Sequence, residues 1–288
     1  PYVLRAYFAW KNGLPFAWQS AMQSADGPGG DIRYSVYGNT VVSRDSVPRT
    51  ANGVNAIPIL HTLVNVVSTA MFRRNSMADD PSMFTDTYSP RLDREGIVPG
   101  TIAYDVNGHA SLVWRVESGG RILIFSSHPD HSLSRTHLGK EFLRTGPELG
   151  SIFQKFRPIE VVGATRAANG ALVGGRIVGV PNADIPDFSL EQYQGNPPGD
   201  PHRWRSSSWM SNGENLDFYT YLRSRLSVGE LEYRPVEELR TMMQSLCFDL
   251  RSRKQAIEIS LGRGIQNMDP PQRLPDNIYG THGVWELY

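Results

Sequence analysis

The sequence predicts an α+β protein, because its helical and strand patterns fall in separate stretches and do not alternate. Apolar residues recur at helical spacing over residues 54–72 and 235–259. Three short strand candidates follow one another between residues 101 and 125. The chain has 288 residues, 40% of them hydrophobic, which is enough for a sizeable buried core.

The N-terminal third is predicted to be mainly helical. Residues 3–10 form a short helix that stops at Asn12-Gly13. Residues 32–43 alternate as in a hairpin around Gly38-Asn39. Residues 54–72 follow as one core helix, with Pro58 in its first turn.

The middle of the chain is predicted to form the sheet. Residues 101–104, 110–116 and 121–125 are the strand candidates, and Ser118-Gly119-Gly120 predicts a tight turn between the last two. Residues 159–165 and 171–180 are two further candidates around Asn169-Gly170.

The C-terminal third is predicted to be a long surface loop over residues 181–213, followed by helices at 216–226 and 235–259. The tail, residues 262–288, is expected to lie extended over the body. We therefore divide the chain into an N-terminal segment (1–96), a central sheet (97–180) and a C-terminal segment (181–288) of one globular unit.

Composition excludes several classes of function. The 29 basic residues balance the 29 acidic residues, so nothing indicates binding to nucleic acid. No apolar run approaches the ~18–20 residues of a membrane span. Cys247 is the single cysteine, which excludes an internal disulfide and fits a periplasmic protein. No phosphate-binding or dinucleotide-binding motif is present, and we expect no cofactor.

Candidate chemistry is concentrated around His109. This histidine follows Gly108 and opens a predicted strand, where a sheet can hold an imidazole rigidly against a cleft. Antiparallel pairing across Gly119-Gly120 brings the outer ends of the two strands together. We therefore expect His109 and residues 126–128 at the same edge of the sheet.

These residues resemble the NlpC/P60 group of papain-like cysteine peptidases. Pro99-Gly100-Thr101 resembles the turn of that group, His109 its catalytic histidine, and Ser127 or His128 the polar residue that orients the imidazole. Residues 104–109, 128–133 and 277–286 also resemble a family of bacterial envelope proteins. The resemblance implies a papain-like sheet and hydrolysis of an amide in peptidoglycan peptides. It also implies a periplasmic or secreted location.

The resemblance implies a nucleophile that this chain lacks. A papain-like peptidase needs a thiolate at a helix N-terminus, and no cysteine precedes His109. Residues 13–22 resemble the approach to that nucleophile, and we expect its position at Ala21, with Ser20 and Ala17 nearby. Either a cysteine has been replaced there, or the chain is a non-catalytic binding or scaffold protein with a protein partner. Cys247 is predicted to be a buried core residue. It could act as the nucleophile only in a circularly permuted arrangement, in which the histidine strand precedes the nucleophile helix.

Aromatic residues are the candidates for substrate contact. Trp18 lies beside the expected nucleophile, and Trp204 and Trp209 lie in the predicted loop, where they could stack on a sugar ring. A zinc site is the remaining alternative, from His109 with His128, Asp130 and His131. The spacing is not that of a helical ligand pair, so the sequence predicts no metal.

Overall fold

A six-stranded antiparallel sheet lies at the centre of the protein. The computed structural model describes residues 1–47, 54–127, 133–150, 152–170, 172–231 and 234–268. Its helices are α1 (Tyr2–Lys11), α2 (Ala56–Val66), α3 (Glu191–Gln194), α4 (Phe218–Leu226) and α5 (Pro235–Gly262). The strands of the N-terminal half are β1 (Phe16–Ser24), β2 (Asn39–Val47), β3 (Thr87–Tyr88), β4 (Ile102–Asp105), β5 (His109–Val116) and β6 (Ile122–Ser127). The others are β7 (Leu133–His137), β8 (Phe153–Phe156), β9 (Ile159–Val162), β10 (Thr165–Arg166), β11 (Leu172–Val173), β12 (Arg176–Gly179), β13 (Met210–Ser211) and β14 (Glu214–Asn215).

The sheet has the strand order β3-β8-β4-β5-β6-β7, and every neighbouring pair is antiparallel. The predicted strands 101–104, 110–116 and 121–125 are confirmed as β4, β5 and β6. Four two-stranded sheets accompany this sheet, among them β1-β2 and β9-β12. This mixture of helices and antiparallel sheet confirms the α+β class.

The two faces of the sheet are covered by two separate hydrophobic cores. The first core packs against α4 and consists of Leu92, Ile97, Ala103, Val113, Ile122, Ile124, Phe142, Ile152, Phe153, Trp209, Phe218, Tyr221, Leu222 and Leu226. The second core packs against α1, β1 and α2 and consists of Tyr2, Ala6, Ala9, Phe16, Trp18, Leu63, Met71, Phe72, Ile102 and Tyr104. Alternating side chains of β4 and β5 enter the two cores in turn.

The N-terminal segment differs from the prediction in two places. Residues 32–43 do not form a hairpin with each other. Instead, β2 pairs antiparallel with β1, and Phe16 lies opposite Val47. The carboxylate of Asp26 holds the intervening loop by accepting the backbone N–H groups of Val36 and Tyr37 at 2.8 and 2.9 Å. The predicted helix 54–72 ends at Val66, and a 3-10 turn, Thr69–Phe72, follows.

The 181–213 segment is folded onto the body, so its prediction as a surface loop is wrong. The side chain of Gln192 accepts the N–H of Phe153 at 3.1 Å and donates to the carbonyl of the same residue at 2.9 Å. Tyr193 and Trp209 are buried. The side chain of Gln192 thus satisfies both backbone hydrogen-bonding groups of a β8 residue, as a neighbouring strand would. Hydropathy does not reveal that a polar residue is buried for this reason.

The C-terminal segment contains the two predicted helices as α4 and α5. However, α5 buries none of its described side chains, and Cys247 is exposed on it, so the prediction of a core cysteine is wrong. Of the predicted extended tail, residues 262–288, the first part is the end of α5 and a 3-10 turn, Ile265–Asn267, and residues 269–288 lie outside the described residues.

Asp187 anchors the 181–213 segment to the sheet, and we expect this anchor to weaken in acid. Its carboxylate accepts hydrogen bonds from Lys155 Nζ and Tyr88 Oη, each at 2.6 Å. Burial alone would raise the pKa of Asp187, but these two hydrogen bonds outweigh it and hold the pKa below its usual value. A depressed carboxyl pKa adds stability above the unfolded pKa of about 3.9, which is lost as the pH falls through the folded value.

Asp187→Asn should therefore flatten the fall in unfolding free energy below about pH 4, where the native chain loses this contribution. Urea unfolding at a series of pH values measures the slope. Asp184→Asn, an exposed neighbour, is the control and should leave the slope unchanged. An identical slope in the native chain and Asp187→Asn would contradict this account.

Candidate functional site

His109 is held by the short turn that joins β4 to β5. It pairs with Asp105, the last residue of β4. The turn is closed by the N–H of Gly108, which donates to the carbonyl of Asp105 at 2.8 Å. Gly108 has a φ of 102°, which glycine adopts without strain. The guanidinium of Arg73 donates to the carbonyl of Val106 at 2.8 Å and fixes the turn from outside.

A bulge in β5 sets which side chains of β6 accompany His109. Val113 pairs with Ile124, but Arg115 pairs with Leu123, so Trp114 is an extra residue in β5. Beyond a bulge the register of the two strands shifts by one residue, and the faces of one strand are exchanged relative to the other. If strand partners are counted back from the Gly119-Gly120 turn without the bulge, residues of β5 beyond it are assigned the wrong partners in β6.

Because of the bulge, Ser126, and not Ser127, lies on the same face of the sheet as His109. Ser111 and Ser126 are 1% and 5% exposed, and their hydroxyl oxygens lie 2.6 Å apart in a hydrogen bond. Strand alternation puts Ser111 on the same face as His109. The prediction of Ser127 as the orienting residue is therefore corrected, since Ser127 is exposed on the other face. His128 lies outside the described residues.

Helix α4 packs on this face of the sheet as part of the first core. Near its C-terminus, Arg223 Nε donates to the carbonyl of Gly119 at 3.0 Å, at the far end of the β5-β6 hairpin. Tyr219 and Leu222 line a groove with Arg121 and Ile122, so α4 lies along the half of the hairpin that ends at Gly119-Gly120. The hydroxyl of Tyr219, in the first turn of α4, donates to the carbonyl of Phe142 at 2.6 Å.

Several charged groups surround Tyr219 at the N-terminus of α4. Burial raises the pKa of Tyr219, Arg144 lowers it, and the carboxylates of Glu141, Asp217 and Asp105 raise it further. The N–H groups of Tyr219 and Thr220 at this helix N-terminus donate to the carboxylate of Asp217, which already supplies negative charge there.

The expected nucleophile position is not on this face. Ala21 lies in β1, where it pairs with Ser43, so it is in a strand and not at a helix N-terminus. Phe16 and Trp18 of the same strand belong to the second core, on the opposite side of the sheet from α4. Ala17 is buried, and the exposed hydroxyl of Ser20 bonds that of Ser43. The prediction that residues 17–24 face His109 from a helix start is wrong.

Two of the three tryptophans predicted to bind substrate are core residues. Trp18 is buried and stacks on Phe16, with ring centroids 5.4 Å apart. Trp209 is buried in the first core, edge-on to Phe218. Trp204 is half-buried, and the guanidinium of Arg205 lies 4.6 Å from its ring centroid. Trp204 alone stays a candidate for substrate contact.

A metal site receives no support from the residues that can be assessed. Within the described ranges, no group of three or more His, Cys, Asp or Glu side chains could hold a metal ion. The ligands considered with His109 for the zinc alternative, His128, Asp130 and His131, lie outside those ranges.

Comparison of the chain with protein-family models, curated proteins and solved structures finds no match. The likeness to NlpC/P60 peptidases therefore depends on the sequence motifs alone. Among the helices described here, none is long and apolar enough to cross a membrane.

The buried hydroxyl pair yields a test of the β5-β6 register. Ser111→Ala or Ser126→Ala should each lower the unfolding free energy by about 1–3 kcal/mol, because the remaining hydroxyl loses its partner while buried. The double variant should lose less than the sum of the two, since both polar groups are then gone. Denaturant unfolding measures all three variants.

Ser20→Ala serves as the control, because its bond to Ser43 is exposed and should change stability by no more than about 0.5 kcal/mol. Additive losses in the double variant would show that Ser111 and Ser126 do not interact, and would argue against the shifted register.

Proposed function

We propose that the protein is an NlpC/P60-like amide hydrolase of the bacterial cell envelope, directed at peptidoglycan peptides or related amides, whose nucleophile is absent from this sequence. The observation that carries the proposal is the shared face of the sheet, with His109 at the start of β5, the Ser111–Ser126 pair beside it, and α4 above. A histidine held on a rigid strand suits a base that activates a nucleophile. A periplasmic or secreted location is part of the proposal.

The reaction would be acyl transfer. His109 would take the proton of a thiol, and the sulfur would attack the carbonyl carbon of the amide. The carbon–nitrogen bond then breaks as the imidazolium gives its proton to the leaving amine, and water hydrolyses the thioester. The Ser111–Ser126 pair would act as a positioning group, because its buried hydroxyls fix the strand beside the imidazole.

The thiol is the part that the chain does not supply at this place. Cys247 is exposed on α5, and no other cysteine occurs in the sequence. The helix on the His109 face is α4, which follows the sheet in the chain, so the arrangement fits a permuted order in which the histidine strand precedes the nucleophile helix. In that order the nucleophile position is the first turn of α4, where this chain has Tyr219.

A non-catalytic binding protein is the second candidate, and Tyr219 is the observation that favours it. Its hydroxyl is engaged with the carbonyl of Phe142, and the neighbouring Thr220 hydroxyl donates to the capping carboxylate of Asp217 at 2.6 Å. Both side chains stabilise the start of the helix. A face built in this way could bind a peptide amide without cleaving it.

Placing a thiol on α4 distinguishes the two candidate functions, the hydrolase and the binding protein. In a Cys247→Ser background, Tyr219→Cys should give a thiol that His109 converts to thiolate if the hydrolase proposal holds, because an imidazole beside a thiol lowers the thiol pKa. Iodoacetamide at pH 6 should alkylate it about 10-fold faster than the thiol of Ala21→Cys on β1, one pKa unit being tenfold in thiolate. Adding His109→Ala should remove the difference.

Hydrolysis of peptidoglycan stem peptides is the functional measurement on the same proteins. Turnover by Tyr219→Cys that requires His109 supports the hydrolase. Tyr219→Ser is the control for loss of the tyrosine and should be folded but inactive. If the thiol at position 219 reacts independently of His109 and the native chain binds stem peptides without cleaving them, the hydrolase proposal fails and the binding protein replaces it.

A further inference from the structure

A groove of about 610 Å³ lies between α5 and the body of the protein. Sites for small organic molecules usually measure about 300–1,000 Å³, so the groove has the size of such a site. Residues of α5 form one wall, and residues of β6, β7 and α4 form the other. The less exposed side of α5 contributes Ser245 and Asp249, whose short polar side chains do not close the gap as an apolar helix face would.

The groove offers apolar surface on both walls. Its apolar lining consists of Ile122, Leu138, Leu222, Met242 and Leu246. Ile122 and Leu222 are buried members of the first core, which holds this wall in place. Met242 and Leu246 stand on the α5 wall and are 66 and 59% exposed. An aromatic ring or an aliphatic chain placed between the two walls would therefore cover apolar surface that water now reaches.

The positive charges of the groove are already neutralised. Six charged residues line it: Arg121, Lys140, Arg223, Glu141, Glu238 and Asp249. Each of the three cations lies between 2.7 and 3.9 Å from a carboxylate. Arg223 is paired with Glu238 inside the groove, whereas Arg121 and Lys140 are paired with acids outside its lining. The groove therefore has no cation to offer to an anionic ligand.

Two of its carboxylates are left without a cation. Among the described residues, neither Asp249 nor Glu141 forms an ion pair. Asp249 is partly buried, and its Oδ1 atom has no hydrogen-bond donor in the described part of the chain. Glu141 is exposed at the rim and accepts the N–H of Gly139 at 3.2 Å. A cationic N–H group would supply both the donor and the charge that Asp249 lacks.

We propose that this groove binds a small organic amine in its ammonium form. The ammonium group donates to the carboxylate of Asp249, and the apolar body of the molecule lies against Ile122 and Leu222. A metal ion is a poorer occupant, because metal ions need several ligands and the described residues contain no group of three or more that could hold one. The proposal is independent of the hydrolase and of His109.

Matched probes on the native full chain test the charge and the apolar body separately. In an NMR titration, phenethylamine should bind about 10-fold tighter than phenethyl alcohol, because only the amine is charged at neutral pH. Phenylacetate, of similar shape and opposite charge, should bind most weakly. Ethylamine lacks the ring and should bind at least about 10-fold more weakly than phenethylamine.

Variants with matched controls place the amine in the groove. Asp249→Asn keeps the size of the side chain and removes its charge, so phenethylamine should bind about 10-fold more weakly or less tightly still. Glu258→Gln makes the same change on α5 outside the groove lining and should leave binding unchanged. Ser245→Phe should fill the groove and abolish binding, whereas Ser252→Phe, outside the lining, should not. Circular dichroism checks that all four variants keep their helices.

Several results would overturn the proposal. Equal binding of phenethylamine and phenethyl alcohol would show that the groove does not select a cation, and tightest binding of phenylacetate would assign it to an anion. Absence of amine binding to the native chain removes the site. Amine binding that Asp249→Asn and Ser245→Phe both leave unchanged places it elsewhere on the protein.

Discussion

The burial of β4 on both faces is the constraint on which the rest of the structure depends. Ile102 and Tyr104 belong to the second core, whereas Ala103 between them belongs to the first. Because successive side chains alternate, a slip of one residue would exchange the two cores. His109 pairs directly with the end of this strand. Two hydrophobic cores therefore fix the position of His109, and the polar residues around His109 fix only the β4-β5 turn.

The candidate site follows from this strand and from one irregularity in the next. The extra residue at Trp114 brings Ser126 level with Ser111 and leaves Ser127 in solvent. A β-bulge commonly re-aims side chains near a functional site, and here it places two buried hydroxyls in register. The same face packs against α4 in the first core.

The proposed function and the proposed amine site concern different parts of the molecule. The first depends on His109 and the face of the sheet around it, the second on the groove between α5 and the body. Both describe places where the packing of the described residues leaves a requirement unmet: a nucleophile beside a histidine, and a cation beside a carboxylate. Variants of His109 and of Asp249 can therefore be interpreted separately.

The sequence by itself determined the α+β class, the strands β4, β5 and β6, and the two C-terminal helices, because these depend on local periodicity and turn residues. Tertiary structure decided the rest. Gln192, a polar residue in an apparent loop, is buried because it satisfies the backbone of Phe153. Ala21 lies across the sheet from the His109 face because β1 pairs with β2 and packs in the second core. Such placements depend on contacts between residues distant in the chain and on a bulge that shifts register by one residue, and neither leaves a periodic trace in the sequence.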